Sequence, residues 1–166
     1  MAIISGSAAH MPPLGTHERE EIGRELQASL VELIDLSLLG KQLHWSVVGP
    51  LFRPLHLHLD EMVDSWRALA DTVAERAVAL GYFPDGQVDA IGAGSEVAPV
   101  ERGPIEDEAV VRELVMRLAE VAERARGRMQ RLAELDAASE DVLVEVLRAL
   151  EEQLWTVRAQ LPVRGA

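Results

Sequence analysis

The sequence predicts an all-α fold, a four-helix bundle in which a long connection joins the second and third helices. Aliphatic residues recur at three- and four-residue steps through most of the 166-residue chain, and this spacing marks one face of an α-helix. No segment shows the alternation of apolar and polar residues typical of a strand, so no strand is predicted. Clusters of Gly and Pro interrupt the helical pattern at residues 49–50 and 81–104, and the pattern breaks again between Leu132 and Ser139, which leaves four long segments. The length fits a single domain.

The first helix is predicted to follow a flexible N-terminal tail. Residues 1–15 contain Gly, Ser and two prolines and no Lys or Arg, a composition typical of a mobile terminus. Thr16 is a suitable helix N-cap, and acidic residues follow it in the first turn, where the helix dipole favours them. The helix should end near Val48, because Gly49-Pro50 is a helix-breaking pair. Its apolar stripe consists of Ile22, Leu26, Leu30, Leu33, Leu36 and Leu43.

The second helix is predicted to begin around Phe52 and to end at Gly81. Residues 82–104 are rich in Gly and Pro and form the long connection, with one short helix predicted around Val88–Ala93.

The third helix is predicted to open at Ile105-Glu106-Asp107 and the fourth at about Ser139. The bundle then spans residues 16–162, and residues 163–166 form a short C-terminal tail. Two short connections and one long middle connection match a ferritin-like bundle, in which a crossover joins the second and third helices.

Composition excludes several classes of protein. With 16 basic and 28 acidic residues the formal net charge is −12, which argues against a main surface that binds phosphates. The chain has no cysteine, so any metal would be held by His and carboxylates, a donor set that suits iron, manganese or zinc. No signal peptide pattern and no run of roughly 18–20 apolar residues is present. We therefore expect a cytoplasmic protein without a membrane segment.

Five residues have the types and the spacing of metal ligands. His44 lies near the end of the first predicted helix, and the second carries His56 with Asp60 and Asp71 with Glu75, each pair four residues apart on one face. The 11 residues from Asp60 to Asp71 turn the helix only about 20° beyond three full turns, so both pairs lie on one stripe. They are roughly 16 Å apart along the axis, too far to share one ion. Two interpretations remain: two unrelated sites, or two second helices packed antiparallel about a twofold axis, and we favour the latter because it uses every ligand.

The candidate ligands lie within a series of short motifs: His44-Trp45, Gly49-Pro50, Phe52, Leu55-His56, Asp60, Asp71, Ala74-Glu75-Arg76 and Leu80-Gly81. These motifs resemble the DNA protection during starvation (Dps) family, the mini-ferritins. The likeness covers roughly residues 20–160, with a weaker match in the fourth predicted helix. Two positions depart from the family pattern: Ser46, where asparagine is common, and Gln153, where histidine is common. Neither is a ligand position.

The resemblance implies a hollow homododecamer of tetrahedral symmetry that oxidises Fe(II), preferentially with hydrogen peroxide, stores ferric mineral and so protects DNA. By the same resemblance His44, His56 and Asp60 come from one subunit, and Asp71 and Glu75 come from its twofold mate. Together they form a ferroxidase site with iron as its metal.

The resemblance also assigns roles outside the five ligands. Trp45, beside a ligand, is a candidate electron donor. Asp136, Asp141 and Glu145, near the start of the fourth helix, are candidates for lining a threefold pore that draws in Fe(II). The purely structural interpretation is that these acidic residues cap the helix and lie on its solvated face.

The alternatives to this function are a structural bundle with incidental histidines, which the two ligand pairs in phase argue against, a di-iron oxidase and a DNA-binding protein. A di-iron carboxylate oxidase with its metals inside one bundle uses Glu-x-x-His motifs, and the sequence contains none. A DNA-binding protein associated with the nucleoid would use basic contacts, and some family members carry them on Lys/Arg-rich tails, whereas residues 1–15 have none. DNA binding is therefore not expected.

Overall fold

The computed structural model describes residues 12–161. Residues 1–11 of the predicted N-terminal tail and the predicted C-terminal tail at 163–166 lie outside this range, as does the predicted end of the bundle at residue 162. The elements in chain order are α1 (Thr16–Ser46), β1 (Val47–Val48), α2 (Phe52–Ala79), α3 (Val88–Gly94), β2 (Ile105–Glu106), α4 (Asp107–Ala133) and α5 (Ala137–Arg158).

The four long helices form the predicted bundle, and the pairing of α1 with α4 explains why it needs a crossover. Glu25 of α1 pairs with Arg131, whereas Glu32, further along α1, pairs with Arg128, so the two helices run antiparallel. Helix α4 therefore runs in the same direction as α2. Since α2 has 28 residues, about 42 Å of helix, the connection over residues 80–106 must return along the bundle. The predicted short helix within it is present as α3.

The expectation that the chain contains no strand is wrong for one small element. β1 and β2 form a parallel pair in which Val47 lies opposite Ile105 and Val48 opposite Glu106. Ile105 and Glu106, predicted as the start of a helix, are therefore strand residues, and the helix begins at Asp107. The pair forms because the end of the crossover meets the α1–α2 connection, where the exposed peptide groups need hydrogen-bond partners. Two-residue strands are too short to show a period in the sequence.

Other helix ends differ from the predictions by a few residues. Thr16 is the first helical residue and not the cap; the N–H of Gly15 donates to Glu18 Oε2 at 2.7 Å. Helix α1 ends at Ser46, where β1 begins, and not near Val48. Helix α5 begins two residues before the predicted Ser139, because the Asp136 carboxylate caps it.

The core is aliphatic, and one close approach within it places α1 against α2. Trp66 of α2 is fully buried, and its indole N–H donates to Gln153 Oε1 at 2.6 Å. A Cβ at Gly40 of α1 would lie 2.5 Å from the Trp66 ring, so only glycine allows this spacing. One turn beyond Gly40 comes His44, which is thereby held close to α2.

A cluster of charges is also buried, between α1 and α4. Glu32 is fully buried and accepts hydrogen bonds from Arg124 Nε and, at 2.6 Å, from Arg128 Nη1. Arg128 is buried as well. These contacts, between residues more than 90 positions apart, fix the register of the two helices.

No helix within residues 12–161 is both long and apolar enough to span a bilayer.

Candidate metal centre

His44 and His56 face each other where α1 ends and α2 begins. Their rings stack with centroids 3.5 Å apart and planes inclined by 21°. Each Nδ1 lies 2.9 Å from the backbone carbonyl oxygen of the other histidine. A carbonyl only accepts, so each Nδ1 carries a proton, and in the neutral ring Nε2 then keeps its lone pair. This tautomer, fixed by a hydrogen bond on the far nitrogen, is the one that binds metals through Nε2.

Asp60 lies beside this histidine pair, one turn beyond His56. Its Oδ1 is 3.3 Å from His44 Nδ1 and 2.6 Å from the ammonium Nζ of Lys41. The hydrogen bond from Lys41 lowers the pKa of Asp60; desolvation opposes the shift, and the charge of the Lys41 ammonium reinforces it. The carboxylate is therefore ionised at neutral pH and available as an anionic ligand.

Asp71 and Glu75 do not meet the other three candidates within one chain. Both lie further along α2 and are exposed. Within residues 12–161 no group of three or more His, Asp or Glu side chains is placed to hold a metal ion. One chain thus brings His44, His56 and Asp60 together and leaves the acidic pair apart, as the helical spacing requires.

Two contact residues were not identified as functional from the sequence. The ring of Phe52, four residues before His56, lies 4.9 Å from the His56 ring and covers one side of it. Lys41 binds Asp60, and its Nζ atom also lies 5.8 Å from the centroid of the Trp45 ring. Trp45 itself is 70% exposed. The available signals were helical spacing, since Lys41 precedes His44 by three residues, and the fact that Lys41 is the only lysine.

A buried carboxylate holds the turn that carries the two histidines. Asp107, at the start of α4, accepts a hydrogen bond from the N–H of Leu51 at 2.6 Å. Gly49 has a φ of +119°, and a Cβ there would lie 2.7 Å from Asp107 Oδ2. The α1–α2 turn is therefore tied to the end of the crossover, which fixes the distance between His44 and His56.

The three pore candidates have different surroundings. The Asp136 carboxylate accepts hydrogen bonds from Arg76 Nη2 at 2.5 Å and from the N–H of Ser139 at 2.9 Å. Burial acts to raise its pKa, but the hydrogen bonds from Ser139 and Arg76 outweigh this and lower it. Asp141 and Glu145 are exposed one turn apart on α5. The capping interpretation of Asp136 is therefore realised, while a role in a pore stays a prediction.

The fold agrees with the comparisons with known proteins. A family profile described as a ferritin-like domain matches residues 24–163. The DNA protection during starvation protein of Mycolicibacterium smegmatis is 34% identical over 157 residues, covering 93% of this chain and 85% of that protein. The chain belongs to the Dps family of ferritin-like proteins.

Further Dps proteins support the same assignment. DNA protection during starvation protein 2 of Deinococcus radiodurans is 31% identical over 154 residues, which cover 93% of this chain but 64% of that protein's length. The structure of DpsA14 from Streptomyces coelicolor has a TM-score of 0.90 at 33% identity and covers 96% of this chain and 95% of that one. The predicted fold class and family resemblance are thus confirmed.

The side chains of Gln153 and Ser46, the two departures from the Dps pattern, form hydrogen bonds within the bundle. Gln153 accepts the indole N–H of Trp66 and donates to Ser65 Oγ at 3.2 Å, so its amide links α5 to α2. Ser46 accepts a hydrogen bond from Gln42 at 3.0 Å, one turn earlier on α1. Both contacts are internal to the bundle, and neither involves the candidate ligands.

Proposed function

We propose that this Dps protein stores and detoxifies iron. It oxidises Fe(II), preferentially with hydrogen peroxide, and keeps the ferric product as mineral in a homododecameric cage of tetrahedral symmetry. Each ferroxidase site is shared by two subunits, with His44, His56 and Asp60 from one and Asp71 and Glu75 from the other. DNA is protected because Fe(II) and peroxide are consumed before they generate hydroxyl radicals.

The observation that carries this proposal is the paired histidines with their Nδ1 atoms engaged. The ionised Asp60 lies beside these two rings and, with their Nε2 atoms, would supply part of the ligand set of a divalent cation, although no complete group of three is preformed within residues 12–161. Such a set leaves ligand positions to be filled. An antiparallel pairing of two α2 helices would bring the exposed Asp71 and Glu75 of each copy to the trio of the other, and twofold symmetry would make two equivalent sites.

The chemistry follows from the donor types. Imidazoles suit Fe(II), and the carboxylates stabilise the higher charge of Fe(III) as it forms. Two Fe(II) ions each give one electron to one peroxide; its O–O bond breaks, and two hydroxide ions result, so no hydroxyl radical leaves the site. Trp45, exposed beside His44, is the proposed electron donor when only one iron is bound.

Iron entry is proposed at the start of α5. The exposed Asp141 and Glu145, with Asp136 at the cap, would line a threefold pore whose negative potential attracts Fe(II).

The central experiment is Fe(II) oxidation by hydrogen peroxide, followed by the absorbance of Fe(III). We expect His56→Ala/Asp60→Ala to abolish rapid oxidation. The matched control is His58→Ala/Glu61→Ala, which removes one histidine and one carboxylate that line a different surface of α2, beside α5, and should leave oxidation unchanged. Twelve copies of the 18.2 kDa chain give about 218 kDa, so the solution mass shows whether each variant is an assembled cage. Wild-type rates in an assembled His56→Ala/Asp60→Ala protein would refute the site.

Mixed cages test whether the site is shared. A chain that lacks His56 and Asp60, assembled with a chain that lacks Asp71 and Glu75, should regain part of the activity, because one site in each mixed pair is complete. If the mixture stays as inactive as the separate variants, each chain needs all of its own ligands.

The alternative functions have less support. In the described part of the chain the buried acidic residues are Glu32 and Asp107, and both are hydrogen-bonded within the protein, which leaves no donor set for a di-iron centre inside the bundle. DNA binding through the folded surface would need arginines with available charge. Eight arginines are already in ion pairs with acidic residues: Arg67, Arg76, Arg112, Arg117, Arg124, Arg126, Arg128 and Arg131.

A further inference from the structure

The single lysine of the chain occupies the candidate metal centre. Lys41 Nζ donates to Asp60 Oδ1 at 2.6 Å, and the lysine side chain is largely shielded from solvent. The same oxygen is 3.3 Å from His44 Nδ1, so the ammonium lies at the edge of the three-donor group. A positive charge is thus already bound to the carboxylate that is proposed to bind iron.

An ammonium and a divalent cation compete for this carboxylate. Both are attracted to the same oxygen, and their own charges repel at the short distance between them. The flexible four-carbon stem of lysine allows the ammonium to leave while the backbone of α1 stays in place. We propose that Lys41 is a tethered cation that occupies Asp60 until a divalent cation displaces it. This inference rests on the proposed function, since it concerns the same three donors.

The displaced ammonium has one defined neighbour. Trp45 lies one turn after Lys41 on α1, and its ring centroid is 5.8 Å from Nζ. A cation within about 6 Å of an indole face is attracted to it. Release from Asp60 therefore changes the electrostatic surroundings of Trp45, which links the occupancy of the metal centre to the proposed electron donor.

This arrangement determines which cations enter. A monovalent ion carries the same charge as the ammonium, which is covalently held beside the carboxylate, so it has no electrostatic advantage in displacing it. A divalent ion carries twice that charge and also gains two imidazole donors. Lys41 is therefore a specificity-determining residue that favours divalent over monovalent cations and lowers the affinity for both.

The test measures Zn(II) binding by calorimetry, because Zn(II) does not undergo redox chemistry. Lys41→Met keeps the length of the side chain and removes its charge, and Lys41→Arg keeps the charge. We expect Lys41→Met to bind Zn(II) about 5-fold to 10-fold more tightly, a modest factor because the ion pair is partly solvated. Lys41→Arg should stay within about 3-fold of wild type. Equal affinity in wild type and Lys41→Met would overturn the proposal.

Tryptophan fluorescence gives an independent readout. Zn(II) should shift the emission of wild type and of Trp155→Phe, a control that removes the other exposed tryptophan. The shift should be lost in Trp45→Phe and reduced in Lys41→Met. An unchanged shift in Lys41→Met would contradict displacement.

One further variant separates this inference from the proposed function. If His56→Ala/Asp60→Ala binds Zn(II) as tightly as wild type, the metal centre itself is wrong and both proposals fail. If that variant loses Zn(II) while Lys41→Met resembles wild type, the metal centre stands and only the role of Lys41 is refuted.

Discussion

Replacing Glu32 by glutamine should strongly destabilise the protein, although Glu32 is remote from the candidate metal centre. The substitution keeps the shape of the side chain and removes the negative charge between Arg124 and Arg128. Arg128 is buried, and Arg124 Nη2 is already buried without a hydrogen-bond partner among the described residues. In Glu32→Gln the charge of Arg128 would remain buried, next to that of the partly exposed Arg124, without the carboxylate that balances them.

The size of the effect follows from burial. Removing one partner of a buried ion pair costs about 3–5 kcal/mol of unfolding free energy, because the remaining charge is desolvated and uncompensated. The same two helices supply a matched control: Glu25 pairs with Arg131, whose side chain is 56% exposed. Such a pair contributes at most about 1 kcal/mol. For a chain of this length, 1 kcal/mol shifts the melting temperature by about 2–4 °C.

Differential scanning calorimetry at equal protein concentration should therefore show a decrease of about 6–20 °C for Glu32→Gln and at most about 4 °C for Glu25→Gln. Replacing the whole cluster by Glu32→Met, Arg124→Leu and Arg128→Met should recover much of the loss, since no unpaired charge is left. Equal decreases for Glu32→Gln and Glu25→Gln would refute the reasoning from burial.

Three further predictions concern iron entry, DNA and the α1–α2 turn. Asp136→Asn/Asp141→Asn should slow iron uptake at low ionic strength, with the difference shrinking as salt is added; equal rates would count against a pore role. The apo-protein should not retard plasmid DNA in a gel shift at about 0.15 M salt, because affinity for DNA comes from basic contacts; salt-sensitive retardation at micromolar protein would contradict this. Gly49→Ala should lower the unfolding free energy by about 1–3 kcal/mol, since alanine is strained at a positive φ and would press on the Asp107 carboxylate; an unchanged melting temperature would show that the turn relaxes without cost.

The fold was predictable because its signals are local. The leucine spacing of α1 and the Gly49-Pro50 pair each act within a few residues, and the resulting helices form the predicted bundle. The strand pair was missed because two residues carry no period, and it depends on Val47 meeting Ile105 across more than 50 residues of chain.

The candidate site was predictable only in part. Helical spacing placed His56 and Asp60 on one face, and the structure sets Asp60 beside His44. The contact of Lys41 with Asp60 was not visible, because it depends on how closely α1 and α2 pack. The roles of Asp71 and Glu75 stay predictions, since the proposed site needs a second copy of the chain.

The crossover also has a consequence for folding kinetics. The His44–His56 contact closes a loop of about a dozen residues, whereas the Glu32–Arg128 contact joins residues 96 positions apart. Loop closure of nearby residues costs less entropy, so the α1–α2 and α4–α5 hairpins should form before they dock. Between these events each hairpin exposes its apolar inner face, and the long connection lets one chain's α4–α5 hairpin reach the α1–α2 hairpin of another. The route to misassembly that this topology favours is therefore a domain-swapped dimer, formed with native contacts.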